Sequence, residues 1–244
     1  MSKSGELRKR AVDSAVQAGQ KEDAAQLVAD AALQHAAYGD VAEARRLSAE
    51  ALKRAPTSSY VLTEAALVLG AAGDAARAES LAKDLGKRFP LDTQMQSIWL
   101  STIQAQIALE RKNPVAALSA LQAALPIELA SQSFATYGLV QVYVRGNAYL
   151  ADGRGNAAAA EFQKIIDHNG IVWNCWTGAL AHLGVARANA LQARAFQGQG
   201  QGADADAARV RALASYKDFL MLWKDADPDV PILKQAKAEY AKLQ

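Results

Sequence analysis

The chain of 244 residues lacks several features that would place it in a familiar class. Its single cysteine, Cys175, excludes an internal disulfide and argues against a cysteine-based zinc site. With 27 basic and 25 acidic side chains the net charge is only +2, which gives no electrostatic reason to expect nucleic acid as a partner. No apolar run reaches the roughly 18 residues that a membrane span requires, so direct membrane insertion is not expected.

The N-terminus is polar and lacks the apolar core of a signal peptide, which indicates a soluble protein, by default cytoplasmic. Whether Met1 is a native start or the chain is a piece of a longer protein stays open. The sequence has only six prolines and 7% aromatic residues, whereas half of it is apolar and rich in alanine. This composition favours close-packed helices over a large sheet and predicts an all-α fold.

A repeat with a spacing of 34 residues organises the first third of the chain. Gly39-Asp40 recurs as Gly73-Asp74, Ala44 as Ala78 and Pro56 as Pro90. A fixed period of this length is typical of stacked helical hairpins, each of which needs a neighbour to bury its apolar face. The small residues at the inner faces, Ala32, Ala44, Ala66 and Ala78, are predicted to let the paired helices approach closely.

We predict a single domain over residues 1–244, with an N-terminal helix (1–19), five hairpins and a C-terminal capping helix (229–244). The hairpins are predicted at 20–56, 57–90, 91–126, 130–170 and 171–228, and the helices of the first two at 20–38, 41–55, 58–71 and 75–88. The N-terminal helix either caps the stack or is the second half of a hairpin whose first half is missing.

Three local features complete the organisation of the C-terminal half. The helix entering the fourth hairpin is predicted to start near Ala130 and to include Phe134 and Tyr137. Gly170 is predicted to end that hairpin in a left-handed conformation. The tract Gln197-Gly198-Gln199-Gly200-Gln201-Gly202 is predicted to be a flexible connector inside the fifth hairpin, because glycine-rich segments are flexible by composition.

The repeat resembles the tetratricopeptide repeat (TPR). The characteristic positions of that family are occupied by Ala32, Gly39, Ala44, Ala51 and Pro56, and in the second copy by Ala66, Gly73, Ala78, Leu85 and Pro90. The resemblance implies a right-handed α-solenoid whose concave groove is lined by the first helix of each hairpin. It places seven candidate ligand-binding residues in that groove: Tyr60, Glu64, Leu67, Tyr143, Asn147, His182 and Asn189.

The C-terminal third resembles a more specific family. The segments YVRGNAYLADG, GALAHLGVARANAL and YKDFLMLWKDADPDVPILKQAKAEYAKL are similar to the repeat region at the C-terminus of eukaryotic-like serine/threonine protein kinases of soil bacteria of the acidobacterial type. The resemblance implies a sensor or docking region of a larger signalling protein. If the chain is the tail of a membrane-anchored kinase, its location is extracytoplasmic.

The chain itself has no kinase motif, since it lacks the phosphate-binding glycine loop with its lysine, the catalytic His-Arg-Asp and the metal-binding Asp-Phe-Gly. The three histidines are too scattered for a local metal motif. Asp225, Asp227 and Asp229 alternate as in a calcium loop but lack its glycine and distal glutamate, so a turn explains them better. We therefore predict no catalytic residue, metal or cofactor.

These observations favour a non-catalytic module that binds a protein or peptide segment. The candidate groove contains Asn147 and Asn189 but no lysine or arginine, which argues against capture of a peptide's terminal carboxylate and for a mixed apolar and polar ligand. Trp173 and Trp176 flank a loop and lie either in the core or at the groove edge. The alternative function is a structural scaffold that self-associates or packs on other domains.

Overall fold

The computed structural model describes residues 3–130 and 138–244 of the chain. Helices make up 79% of it, and these two ranges contain no strand, which confirms the predicted all-α class. The chain divides into two compact units, Met1–Glu110 and Arg111–Gln244. The organisation of residues 1–244 as a single domain stays a prediction.

The first unit contains the N-terminal helix and the first two hairpins. Its helices are α1 (Lys3–Gln17), α2 (Lys21–Ala37), α3 (Val41–Arg54), α4 (Ser59–Ala71), α5 (Ala75–Arg88) and α6 (Leu100–Glu110), with a π-helical segment (Met95–Trp99) directly before α6. The helices predicted at 20–38, 41–55, 58–71 and 75–88 agree with α2 to α5 to within one residue at each end.

The second unit contains longer helices towards its C-terminus. They are α7 (Pro114–Ala120), α8 (Val140–Ala151), α9 (Gly155–Asp167), α10 (Asn169–Val172), α11 (Trp176–Gly198), α12 (Gly202–Leu222) and α13 (Pro231–Ala241), and a 3₁₀ segment (Leu121–Ala124) continues α7. The predicted helical segment with Phe134 and Tyr137 lies outside the described residues.

One turn geometry closes four hairpins. Gly39, Gly73, Gly153 and Gly200 have φ angles of 84°, 82°, 77° and 75°, in the left-handed region that glycine adopts without steric cost. In each turn the residue after the glycine donates its backbone N–H to a carbonyl five residues earlier, at 2.9–3.0 Å. This pairing ends a helix by satisfying carbonyls that have no intrahelical donor. The repeated glycine is therefore a structural requirement of the turn.

Two glycine predictions are wrong. The Gly/Gln tract is not a flexible connector, because Gln197 and Gly198 belong to α11 and Gly202 begins α12, which leaves a tight turn at Gly200. Gly170 does not end its hairpin in a left-handed conformation. The chain after α9 continues into the one-turn helix α10, which contains Gly170 and ends at Val172, and the residue with a positive φ, 49°, is Trp173 directly after it.

Replacing Gly200 with alanine tests the defined turn directly. A Cβ atom in the left-handed conformation costs about 1–2 kcal/mol, so we expect the Gly200→Ala variant to lose about that much free energy of unfolding. The matched control is Gly202→Ala, since Gly202 has no positive φ and a Cβ there meets no atom within 4 Å. Urea unfolding followed by circular dichroism measures both. Equal stability of the two variants would contradict a defined turn.

Alanine forms much of the interface between helices in the first unit. The predicted inner residues Ala32, Ala44, Ala66 and Ala78 are 0–1% exposed, which confirms that they are packed. Such small side chains let neighbouring helices approach closely while leaving no voids. The core therefore depends on small volume at these positions as much as on apolar surface.

The core of the second unit is built around Phe162, which is completely buried on α9. Its ring lies between two glycines. A Cβ atom added to Gly146 on α8 would come within 2.7 Å of the ring, and one added to Gly184 on α11 within 2.5 Å. Three helices therefore meet at one phenyl ring because two of them present only backbone to it.

Within residues 3–130 and 138–244, no helix combines the length and the apolar character that a membrane span needs.

Candidate functional site

Two of the predicted groove residues meet on α8 of the second unit. Tyr143 and Asn147 are one helical turn apart, both are half-buried, and their side chains are hydrogen-bonded to each other. The adjacent helix α11 contributes Trp176, whose ring centroid lies 5.1 Å from that of Tyr143 in an edge-to-face arrangement. These three side chains form an aromatic and amide surface, here called the Tyr143 surface.

The Tyr143 surface packs on the hydrophobic core of the second unit. The Tyr143 ring also contacts Phe162 edge-to-face, with centroids 5.6 Å apart. Because Phe162 is held between glycines of α8 and α11, the aromatic side chains above it have little freedom to change rotamer. A site supported in this way is preorganised, which lowers the entropic cost of binding a ligand.

The Tyr143 hydroxyl stays protonated at neutral pH. Burial raises the pKa of Tyr143 because it disfavours the phenolate, although the nearby Arg187 and the hydrogen bond with Asn147 act in the opposite direction. A neutral phenol can donate or accept a hydrogen bond. The Tyr143 surface therefore offers polar groups without a net charge of its own.

His182 lies on α11 and is half-buried. Burial lowers the pKa of His182 below its ordinary value, and the carboxylate of Asp218 on α12 partly opposes this. A lowered pKa keeps the imidazole neutral near pH 7, where it can act as both donor and acceptor of hydrogen bonds. The histidine is available for polar recognition rather than for charge pairing.

Three other predicted groove residues offer almost no surface, namely Leu67, Asn189 and Glu64, which is described below. Leu67 on α4 is 2% exposed and lies in the core of the first unit. Asn189 on α11 is 6% exposed, donates to the Val185 carbonyl at 3.0 Å, and accepts from Nε of Arg211 on α12 at 3.1 Å. In this structure the polar groups of Asn189 join α11 to α12.

A second polar cluster joins α13 to α11 and α12. The guanidinium of Arg187 donates from Nε and Nη2 to both carboxylate oxygens of Glu239, at 2.9 and 3.0 Å. The Tyr216 hydroxyl donates to the same carboxylate at 2.8 Å. Sequence reasoning missed this cluster because its members are separated by up to 52 residues and belong to no motif. It explains how the capping helix is fixed in place.

In the first unit, the predicted groove residues Tyr60 and Glu64 lie on α4 beside Asp30 on α2. The Tyr60 hydroxyl donates to the Asp30 carboxylate, which is also hydrogen-bonded to Glu64. Sequence reasoning missed Asp30, although it precedes Glu64 by 34 residues, the spacing of the repeat itself. Equivalent positions of successive hairpins therefore bring two acidic side chains together.

The environment of this pair favours a protonated Asp30. Burial raises the pKa of Asp30, and this effect exceeds the lowering by its hydrogen bonds with Tyr60 and Glu64. Asp30 is half-buried and Glu64 is 1% exposed, so solvent does little to screen two negative charges on these carboxyl groups from each other. Protonation of Asp30 relieves the repulsion between the two carboxyl groups.

The raised pKa of Asp30 predicts a specific dependence of stability on pH. The folded state binds the proton more tightly than the unfolded state, so this stabilising contribution is present at acid pH and lost as pH rises through the folded pKa. Asp30→Asn keeps an acceptor for Tyr60, adds a donor for Glu64 and removes the charge. We expect its Tm to exceed that of the parent at pH 7 and the difference to shrink towards pH 4.

The matched control for Asp30 is Asp13→Asn, since Asp13 is exposed on α1. Thermal unfolding at a series of pH values, followed by circular dichroism, measures all three proteins. A difference between Asp30→Asn and the parent that is independent of pH, or a variant less stable than the parent at pH 7, would contradict a raised pKa of Asp30.

A buried ion network around Arg145, in the middle of α8, also has no counterpart in the sequence predictions. Arg145 is 1% exposed, and its Nη2 donates to carboxylate oxygens of Glu128 and Glu161, each at 2.6 Å. Lys164 on α9 contributes a second cation, 2.9 Å from Glu128 and 3.4 Å from Glu161. The network links α9 and α8 to the segment after α7.

No group of three or more His, Cys, Asp or Glu side chains suited to a metal ion occurs among residues 3–130 and 138–244. No model of a known protein family matches the chain, and no curated protein matches it.

Proposed function

We propose that the chain is a non-catalytic repeat module that binds a peptide or protein segment. In this proposal its hairpins are units of a TPR-like right-handed α-solenoid with a C-terminal capping helix. The repeated glycine turn and the burial of equivalent alanines support the proposal, because stacked repeats need the same turn and the same small interface residues in successive copies.

The observation that carries the proposal is the Tyr143 surface. Its side chains come from α8 and α11, the first helices of two hairpins that pack against each other within the second unit. Two aromatic rings and an amide, half-buried and held by Phe162, match what recognises an extended peptide: apolar contact for side chains and an amide for the peptide backbone. His182 extends the polar part along α11.

We further propose that the module is the docking or sensor region of a larger signalling protein, such as a serine/threonine kinase. The resemblance of its C-terminal third to kinase-associated repeats supports this part. A binding surface without net charge suits recognition of a peptide through aromatic contact and backbone hydrogen bonds rather than through charge steering.

Peptide selection followed by titration tests the proposal. Peptides selected from a random library against the parent are titrated by fluorescence anisotropy against Asn147→Ala, His182→Ala and Tyr143→Phe. The matched control is Gln163→Ala, on the exposed face of α9. We expect Asn147→Ala to weaken binding by about tenfold or more, as for a central interface residue, and the control to bind like the parent. Equal binding by all four variants would contradict the proposed surface.

The second candidate function is self-association into a scaffold. It is favoured by large apolar side chains that face solvent, among them Trp173, Met221 and Leu222 at 73%, 68% and 58% exposure. Light scattering over a range of concentrations distinguishes the two functions. A monomer at all concentrations that binds peptide supports the binding module, whereas concentration-dependent mass that Trp173→Ser abolishes supports the scaffold.

A further inference from the structure

Trp173 combines an exposed indole with an unusual backbone conformation. It lies between α10 and α11 in the second unit, and 73% of it is exposed to solvent. The other three tryptophans of the chain, Trp99, Trp176 and Trp223, are half-buried. A single apolar side chain at the surface is ordinary in itself, so the backbone of Trp173 carries the argument.

The backbone of Trp173 has a φ of 49° and a ψ of −128°, which lies outside the regions that residues with a Cβ atom adopt without strain. Lys112 and Leu139 also have positive φ angles, but Leu139 has the ψ of a left-handed helix, 38°, and its side chain is completely buried. A bulky aromatic residue with positive φ is a rarer case. Glycine would make this turn with less strain, and the feature that glycine would lack is the indole.

The turn that carries Trp173 is fixed on both sides. The backbone N–H of Trp173 donates to the Asn169 carbonyl at 2.8 Å, and that of Cys175 donates to the Val172 carbonyl at 2.9 Å. Val172 is 2% exposed and belongs to the core of the second unit, where its side chain packs closely on Gly178 of α11. The surrounding structure therefore holds the strained residue in place while its indole stays in solvent.

The exposed indole is close to the Tyr143 surface. Trp173 and Trp176 are three residues apart, so their Cα atoms are at most about 11 Å apart. The Trp176 ring contacts Tyr143 edge-to-face. An extended peptide covers about 11 Å with three or four residues. A peptide on the Tyr143 surface can therefore reach Trp173 without any change of the fold.

We propose that Trp173 is a further ligand-binding residue, which contacts an apolar side chain of the peptide that binds the Tyr143 surface. This inference rests on the proposed peptide-binding function. An apolar side chain placed against the indole removes both from water, which favours the complex. The ligand is then an extended peptide with an apolar residue three or four positions from the residue that contacts Trp176.

Titration of labelled peptides selected against the parent, followed by fluorescence anisotropy, tests the contact. We expect Trp173→Gly to weaken binding about tenfold, as for an aromatic residue within an interface, and Trp173→Phe to keep most of the affinity because an aromatic ring remains. The matched control is Leu91→Gly, since Leu91 is 95% exposed and lies in the first unit. It should bind like the parent.

Thermal unfolding tests the strain separately. Trp173→Gly and Trp173→Ala both lack the indole, but only alanine keeps a Cβ atom in the strained conformation. We expect the Tm of Trp173→Gly to exceed that of Trp173→Ala by about 2–4 °C. Without strain the order would be reversed, because glycine loses more conformational entropy on folding than alanine does.

Several results would overturn the inference, and they separate it from the proposed function. If Trp173→Gly binds like the parent while Asn147→Ala binds weakly, the peptide site exists without Trp173. If both bind like the parent, the proposed surface is wrong and this inference with it. If Trp173→Gly abolishes self-association in light scattering but leaves peptide affinity unchanged, the indole contacts a second copy instead. A Tm of Trp173→Gly below that of Trp173→Ala would show that the turn is not strained.

Discussion

Replacement of Arg145 by methionine is expected to lower the free energy of unfolding of the second unit by about 3–5 kcal/mol, because it removes one partner from a buried ion network. Methionine fills much of the arginine volume but leaves two carboxylates without the guanidinium that lies between them. Glu128 is 5% exposed, so solvent cannot replace the lost hydrogen bonds. Guanidinium chloride unfolding measures the effect.

The control for Arg145 is Arg154→Met in the same unit. Arg154 is 57% exposed, and its Nη1 lies 4.0 Å from Asp152, so its loss should cost about 1 kcal/mol or less. Combining Arg145→Met with Glu128→Gln and Glu161→Gln should recover a large part of the lost stability, because it removes two carboxylates that would otherwise share Lys164 as their cation, and Lys164 itself is partly exposed to solvent. A small effect of Arg145→Met, or no recovery in the triple variant, would contradict a tightly buried network.

Replacement of Gly184 by alanine is expected to lower the free energy of unfolding by about 3 kcal/mol, the upper end of the range for overpacking a core. The added Cβ would lie 2.5–2.6 Å from three atoms of the Phe162 ring. The ring cannot move away, because Gly146 on its other side also leaves no space. Either the ring leaves its rotamer or α11 moves away from α9.

Two further variants make the Gly184 prediction specific. Gly198→Ala is the same change in the same helix, but a Cβ there meets no atom within 4 Å. It should be neutral or stabilising by up to about 1 kcal/mol, since alanine favours helix over glycine. Phe162→Leu added to Gly184→Ala should restore part of the stability by removing ring atoms. If Gly184→Ala and Gly198→Ala were equally stable in urea, the close packing at Phe162 would be wrong.

The parts of the fold that follow from local rules could be predicted from the sequence. The helices α2 to α5 were predictable because each has an apolar face and is bounded by a residue with a specific role. Gly39 forms the turn after α2, and Asp74 is the N-cap of α5. The error at the Gly/Gln tract shows the limit of composition. Glycine can adopt many backbone conformations, but Gly200, at the end of α11, adopts one defined left-handed conformation.

The polar clusters could be predicted only in part. Tyr143 and Asn147 were found from the groove positions that the TPR resemblance implies, and Trp176, predicted to lie either in the core or at the groove edge, is half-buried beside Tyr143. The pairing of Asp30 with Glu64 could have been found from the repeat spacing.

No repeat spacing or motif in the sequence indicated the Arg145 network or the pairing of Arg187 with Glu239. Their partners come from different helices, and tertiary packing alone brings them together. The burial of Glu64, Leu67 and Asn189 could not be predicted either, since position in the repeat does not reveal how far a neighbouring helix covers a side chain.

Hydrogen exchange with and without a selected peptide tests the central claim most directly, namely that α8 and α11 present a binding surface. Mass spectrometry of the full chain locates the protected segments. The account predicts added protection at the helical turns that carry Tyr143, Asn147 and His182, and none in the exposed turn of α9 around Gln163. Protection confined to α9 and α12, or unchanged exchange at saturating peptide, would contradict it.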